Sequence, residues 1–172
     1  MKSIYYILVA ILMFYLDTVL TFLSPIIIGG HRFILVPHLV FLFLVLITVY
    51  KNTSIALILG VLLGTVHDLF FGQIYGVYLF GYIVSILFAD KFLKVFFRDH
   101  VMVYVMTLIG IVFLEVFVVM LYLVVGLVDF NLIQFIVFRI LPTLLLNAIL
   151  LIFLYFVAAN YFLNPKRSID TK

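Results

Sequence analysis

The stretch ALILGVLLGTVHDLFFGQIYGVYLF, residues 56–80, places a small residue or an acid at every fourth position: Ala56, Gly60, Gly64, Asp68, Gly72 and Gly76. At 3.6 residues per turn such a row drifts slowly around a helix, so Ala56, Gly60 and Gly64 form a flat strip that ends in the Asp68 carboxylate. In water each glycine would weaken the helix by about 1 kcal/mol relative to alanine. In a bilayer the same spacing lets a neighbouring backbone approach closely, and an acid persists only where it faces protein or water. Ala56, Gly60, Gly64, Gly72 and Gly76 are therefore expected to be a helix-packing seam inside a membrane bundle.

Composition points the same way. Hydrophobic residues make up 69% of the 172, and only 10% are charged, against about 25% charged in a soluble domain; mean hydropathy is +1.46. The length suits one membrane domain, expected over residues 1–163, with a polar cytoplasmic tail over 164–172. The basic pI near 9.1 is not a nucleic-acid signal, because the basic residues fall in loops and tails, as membrane insertion requires. With no cysteine, the chain excludes disulfides, thiolate chemistry, Cys-ligated metals and lipidation on Cys.

Six apolar runs follow in order, predicted as helices over about 4–23, 33–50, 54–71, 74–89, 101–125 and 135–156. No small-residue cleavage site follows the first run, so it reads as a retained helix rather than a signal peptide. Pro25 and Gly29-Gly30 end it in the apolar loop SPIIIGGHR. Pro37 fits the first turn of the second helix. From Ser54 to Ala89 there are 36 residues without Lys or Arg; as one helix they would reach about 54 Å, far beyond a ~30 Å hydrocarbon core, so the chain is expected to turn back near Gly72. Residues 90–100, DKFLKVFFRDH, set Lys91, Lys94 and Arg98 on one helical face and phenylalanines on another, a basic patch suited to the cytoplasmic membrane interface. Lys2, Lys51, Lys91, Lys94, Arg98, Lys166, Arg167 and Lys172 then share one side, against Arg32 opposite. The positive-inside rule places that side, with both termini, in the cytoplasm.

This topology brings Asp17, Asp68 and Arg139 to similar depth in the outer half of the bundle, with Glu115 nearer the middle and Thr143 and Asn147 on the same helix face as Arg139. An intramembrane polar layer of Asp17, Asp68, Glu115, Arg139, Thr143 and Asn147 is expected, because a charge facing lipid at mid-bilayer costs roughly 2.5–3.5 kcal/mol. Arg139 with Asp68 is the preferred pair, although an acid near a helix end also finds partners in turn amides. Pro142 leaves a carbonyl one turn earlier without its helical donor.

Chemistry is poorly represented. His67 and Asp68 are adjacent and point apart, while His31, His38 and His100 are scattered. There is no HExxH, paired-carboxylate or Ser/His arrangement and no phosphate-cradling glycine loop, so no catalytic, metal or cofactor site is expected.

Four segments in order, LVPHLVFLFLV (35–45), the Gly60, Gly64, Asp68 series, YGVYLFG (75–81) and RILPTLLLN (139–147), resemble the MreD family of bacterial rod shape-determining membrane proteins. The resemblance covers about residues 35–156. It implies a six-helix bundle related to the substrate-binding subunits of energy-coupling vitamin transporters, in the bacterial inner or plasma membrane. The implied role is a non-enzymatic scaffold of cell-wall elongation beside MreC, the actin-like MreB and the peptidoglycan polymerase RodA with its transpeptidase partner. The bundle likeness also admits a different class, a solute-binding subunit of a membrane transporter.

Overall fold

A computed structural model describes residues 2–93, 100–128 and 130–162. Its order is α1 (Lys2–Phe22), a hairpin of β1 (Ile26–Ile28) and β2 (His31–Phe33), α2 (Leu39–Tyr50), α3 (Thr53–Phe71), α4 (Val77–Phe88) and α5 (His100–Val124). A short α6 (Leu132–Phe135) then runs through a π turn (Ile136–Ile140) into α7 (Leu141–Phe162). The segments Ile4–Phe22, Thr53–Phe71, Val101–Val124 and Leu132–Phe156 are each long and apolar enough to cross a bilayer. The chain is an all-α membrane protein, apart from the three-residue strands.

The bundle is built around α2. Leu39 to Thr48 are all buried, and α1, α3, α4, α5 and α7 pack around them. A helix that is apolar on every face is stable only when every face is covered, and the sequence of α2, LVFLFLVLITVY, has no polar stripe to present to a surface. The other helices bury one side and expose the other: α1 leaves Leu8, Ile11 and Tyr15 outward, and α7 leaves Leu145, Ile149 and Phe153 outward. In a bilayer those faces meet lipid, where exposed apolar residues are at no disadvantage.

The second predicted helix differs most from the structure. It begins at Leu39, not residue 33, and residues 34–38 are in neither helix nor strand. Pro37 disfavours helical geometry at Val36, and side chains of other helices take up the backbone donors that a helix would have used. The connection ahead of it, expected as a loop, is a tight hairpin with Ile28 opposite His31. Gly29 and Gly30 have φ of +57° and +80°, the left-handed pair that a two-residue hairpin turn requires, so Gly-Gly beside a β-branched run was the available signal.

Elsewhere the differences are shorter. The fourth helix starts at Val77 instead of 74, and the last begins at Leu132 and extends to Phe162. The expected interfacial helix over 90–100 starts as a π turn, Ala89–Leu93, that prolongs α4. Lys91 is exposed there, while Lys94, Arg98 and the 164–172 tail lie outside the described residues.

Candidate functional site

The packing seam closes α3 on α4. Ala56 is buried; a Cβ on Gly60 would stand 2.5 Å from the Ile86 side chain, and one on Gly64 would stand 2.6 Å from the Leu79 Cα. Gly72 and Gly76 do not continue this strip. Gly72 ends α3 and Gly76, with φ of +93°, precedes α4, so their role is the turn, where a four-residue helical spacing no longer applies.

The close approach at Gly64 is what lets Asp68, one turn later, reach the start of α4. Its Oδ1 accepts the Tyr78 N–H at 2.8 Å, and its Oδ2 accepts those of Gly76 and Leu79 at 3.0 Å. The first amides of a helix have no partner within it, and three of them at this end meet a single buried carboxylate. The expected Arg139–Asp68 pair does not form, because both oxygens of Asp68 are already taken by these donors.

Asp17 does the same for α2 from a greater distance along the chain. Its two oxygens accept the N–H groups of Leu39 at 2.7 Å and Val40 at 2.9 Å. The non-helical residues before it are matched one by one. Ile34 N–H donates to the Phe138 carbonyl at 2.7 Å, Leu35 N–H to Ser24 Oγ, Val36 N–H to Thr143 Oγ1, and His38 N–H to Asn147 Oδ1. Pro37 has no N–H. Phe138 is free to accept because Pro142, four residues on, cannot donate to it. Asn147 completes the arrangement by giving Nδ2 to the Val36 carbonyl at 2.8 Å. Non-helical backbone away from water is stable only when protein supplies its hydrogen bonds, and here every N–H from Ile34 to Val40 has a protein acceptor.

Arg139 pairs with Glu115. Its Nε lies 2.7 Å from Oε2, while the other oxygen, Oε1, lies 2.9 Å from His38 Nε2. Glu115 and His38 are each 1% exposed and Arg139 27%. A carboxylate this deep is tolerated because two side chains reach it, one of them a guanidinium. The triad joins the start of α2, the middle of α5 and the π turn before α7. Sequence spacing did not single out His38; its place directly after Pro37, at the point where non-helical chain becomes helix, is the feature that exposes its ring to a partner. His67 lies apart in an aromatic cluster with Phe14, Phe71, Tyr78 and Tyr82. Among the described residues no group of His, Asp and Glu is arranged to hold a metal ion.

Comparison with known proteins bears on what this bundle is for. The family model for rod shape-determining protein MreD matches residues 1–164. The chain belongs to the MreD family. It is similar to the rod shape-determining protein MreD of Bacillus subtilis (strain 168), 25% identical over 138 residues, which cover 79% of each chain. No solved structure matches. Membership makes it a rod shape-determining membrane protein, and the segments that suggested MreD from sequence are those with the densest structural work. LVPHLVFLFLV holds the non-helical entry and the central helix, and RILPTLLLN supplies the Arg139, Thr143 and Asn147 side chains that receive it.

Proposed function

We propose that the protein is a non-enzymatic scaffold of the bacterial cell-wall elongation machinery, assembling with MreC and through it with MreB, RodA and RodA's transpeptidase partner. The observation that carries this reading is the occupation of the buried acids. Both oxygens of Asp17 and Asp68 hold backbone amides, and both oxygens of Glu115 hold side chains. Groups that in an enzyme would exchange protons with a substrate are here structural. Large apolar surfaces on α1, α5 and α7 are open to lipid or to partner helices.

In this reading the chain crosses the inner membrane six times with both termini cytoplasmic. The second crossing combines up to about 16 Å of non-helical chain over 34–38 with about 18 Å of α2, enough together for a ~30 Å core. The hairpin and the 72–76 turn then face outward, and Lys51 and Lys91 inward. Isolation of the tagged chain in mild detergent should recover MreC, and a cysteine at position 94 should react with an impermeant reagent only after the cell is opened. Absence of MreC from the isolate, in cells where the chain restores rod shape, would overturn the assembly; labelling of position 94 in intact cells would overturn the topology.

A further inference from the structure

A hydroxyl inside a membrane-crossing helix needs a hydrogen-bond partner, because lipid tails offer none. Several find one close by. Thr18, Thr21, Thr65 and Thr107 each donate to the carbonyl one turn back on their own helix, and Tyr104 donates to the Ala148 carbonyl of α7 at 2.6 Å. Tyr15 differs: it is 63% exposed and has no hydrogen-bond partner among the described residues. Its rigid ring holds the hydroxyl away from the carbonyls of its own helix. Water is out of reach as well. Along the apolar segment Ile4–Phe22, Tyr15 lies about 10 Å from one end and about 16 Å from the other, farther than a tyrosine side chain extends. Its Cα–Cβ bond leans toward the N-terminus, away from the nearer end, so the hydroxyl sits deep in the apolar layer. Tyr5, also exposed, stands at the segment's first turn, where the same lean carries its hydroxyl out to the interface.

The face around Tyr15 has the spacing of a helix contact. Ile4, Leu8, Ile11, Tyr15, Thr18 and Phe22 recur at alternating steps of four and three, the a/d pattern of a two-helix seam. Tyr15 stands at the middle of this face, opposite the buried Ala10 and Asp17 that pack into the bundle. A lipid tail covers the apolar part of the seam as well as a helix does, but it leaves the hydroxyl unpaired. The occupant is therefore a protein helix with a hydrogen-bonding group at the depth of Tyr15. A second copy meets that requirement without further adjustment: identical chains inserted in the same direction carry Tyr15 at the same depth, and a parallel heptad seam sets each residue against its own mate. We propose that α1 is the contact surface between two copies of this chain, side by side about a twofold axis along the membrane normal, with one Tyr15 hydroxyl donating to the other. A single polar pair in an otherwise apolar seam also fixes its register.

The chain contains no cysteine, so a single introduced one reports only its own neighbours. In membranes from cells making the full chain, mild oxidation should join Ile11→Cys chains into disulfide-linked pairs, whereas Ile58→Cys, more exposed and on α3, should stay at background. Tyr15→Phe keeps the ring, and the hydroxyl it removes bonds nothing within the chain. Sedimentation of that variant in detergent should show self-association about three- to tenfold weaker than the parent's, the range of one hydrogen bond between membrane helices. Equal cross-linking at positions 11 and 58, or self-association undiminished in Tyr15→Phe, would overturn the contact. Cross-linking of position 11 to a different chain in place of a second copy would overturn the occupant. Sedimentation uses the purified chain, so its outcome is independent of the proposed partners and orientation.

Discussion

The first two helical pairs of the bundle solve one problem in two ways. In each, an aspartate near the end of the leading helix accepts the opening amides of the next: Asp17 those of α2, Asp68 those of α4. The connectors differ. Five residues, 72–76, join α3 to α4, whereas sixteen, 23–38, join α1 to α2. The short turn closes mainly on itself: Gly64 brings Leu79 close, Asp68 fixes it, and the Gly72 N–H returns to the Asp68 carbonyl, with one bond leaving it, from the Gln73 N–H to the Tyr122 hydroxyl of α5. The long one cannot, since most of the backbone N–H groups over 34–38 are held by Thr143, Asn147 and the Phe138 carbonyl of the π turn and α7, more than a hundred residues away. The α3–α4 pair is thus a local unit, and the α1–α2 pair is complete only when α7 is in place.

That contrast can be broken most severely at Asn147. Asn147→Ala leaves the His38 N–H and the Val36 carbonyl without partners in a buried, water-poor position; at about 1–3 kcal/mol each the expected loss is about 2–6 kcal/mol. Thermal unfolding in detergent and the steady-state protein level measure it, and a loss below about 1 kcal/mol would mean that the non-helical entry does not depend on α7. Within the compact pair the corresponding change is Gly64→Leu, which forces a side chain onto the Leu79 backbone. About 1–3 kcal/mol is expected, against no more than about 0.5 kcal/mol for Ile58→Leu on the exposed face of the same helix. Equal protein level and equal rod-shape complementation for these two variants would remove the seam from the account.

Smaller effects sharpen the comparison. Arg139→Ala strands Glu115, and Glu115→Gln should recover part of the loss, with a coupling of about 1–3 kcal/mol in a double-mutant cycle; Arg139→Ala with Asp68→Asn should be additive, because among the described residues the hydrogen-bond partners of Asp68 are backbone amides. Reversal of those two results would restore the pairing that spacing alone suggested. Asp17→Asn and Asp68→Asn each replace one accepting oxygen by an amide nitrogen, at about 0.5–2 kcal/mol. The distinction between them is spatial. Asp68→Asn should increase amide exchange around 72–79 only, whereas Asp17→Asn should increase it over 34–40 and along the facing part of α7. An identical pattern for both would show that the two pairs are not independent units.

Several residues disclosed their roles in advance, and for a common reason. Gly60 and Gly64 are local statements about how near another backbone can come, Pro142 is a local statement about a carbonyl without a donor, and a 36-residue run without Lys or Arg must fold back in a bilayer whatever it packs against. The acids were legible as buried and not as to partner. Asp68 was matched to Arg139 because opposite charges attract at any distance along the chain, while its actual donors, the amides of Gly76, Tyr78 and Leu79, are present in every residue and so leave no mark in a sequence.

By itself, then, the sequence determined the membrane class, the approximate extent of the long apolar helices, the close-packing strip and the resemblance to MreD, since these depend on composition and on spacing within one element. Tertiary structure alone decided that α2 is central and starts six residues late, that Asp17 and Asn147 serve the backbone of another segment, and that Glu115 stands between His38 and Arg139. Each of these is a contact between elements separated by 22 to 111 residues. In a medium without water such contacts are set by which helix can satisfy an unpaired amide or charge, and that is a property of the assembled bundle.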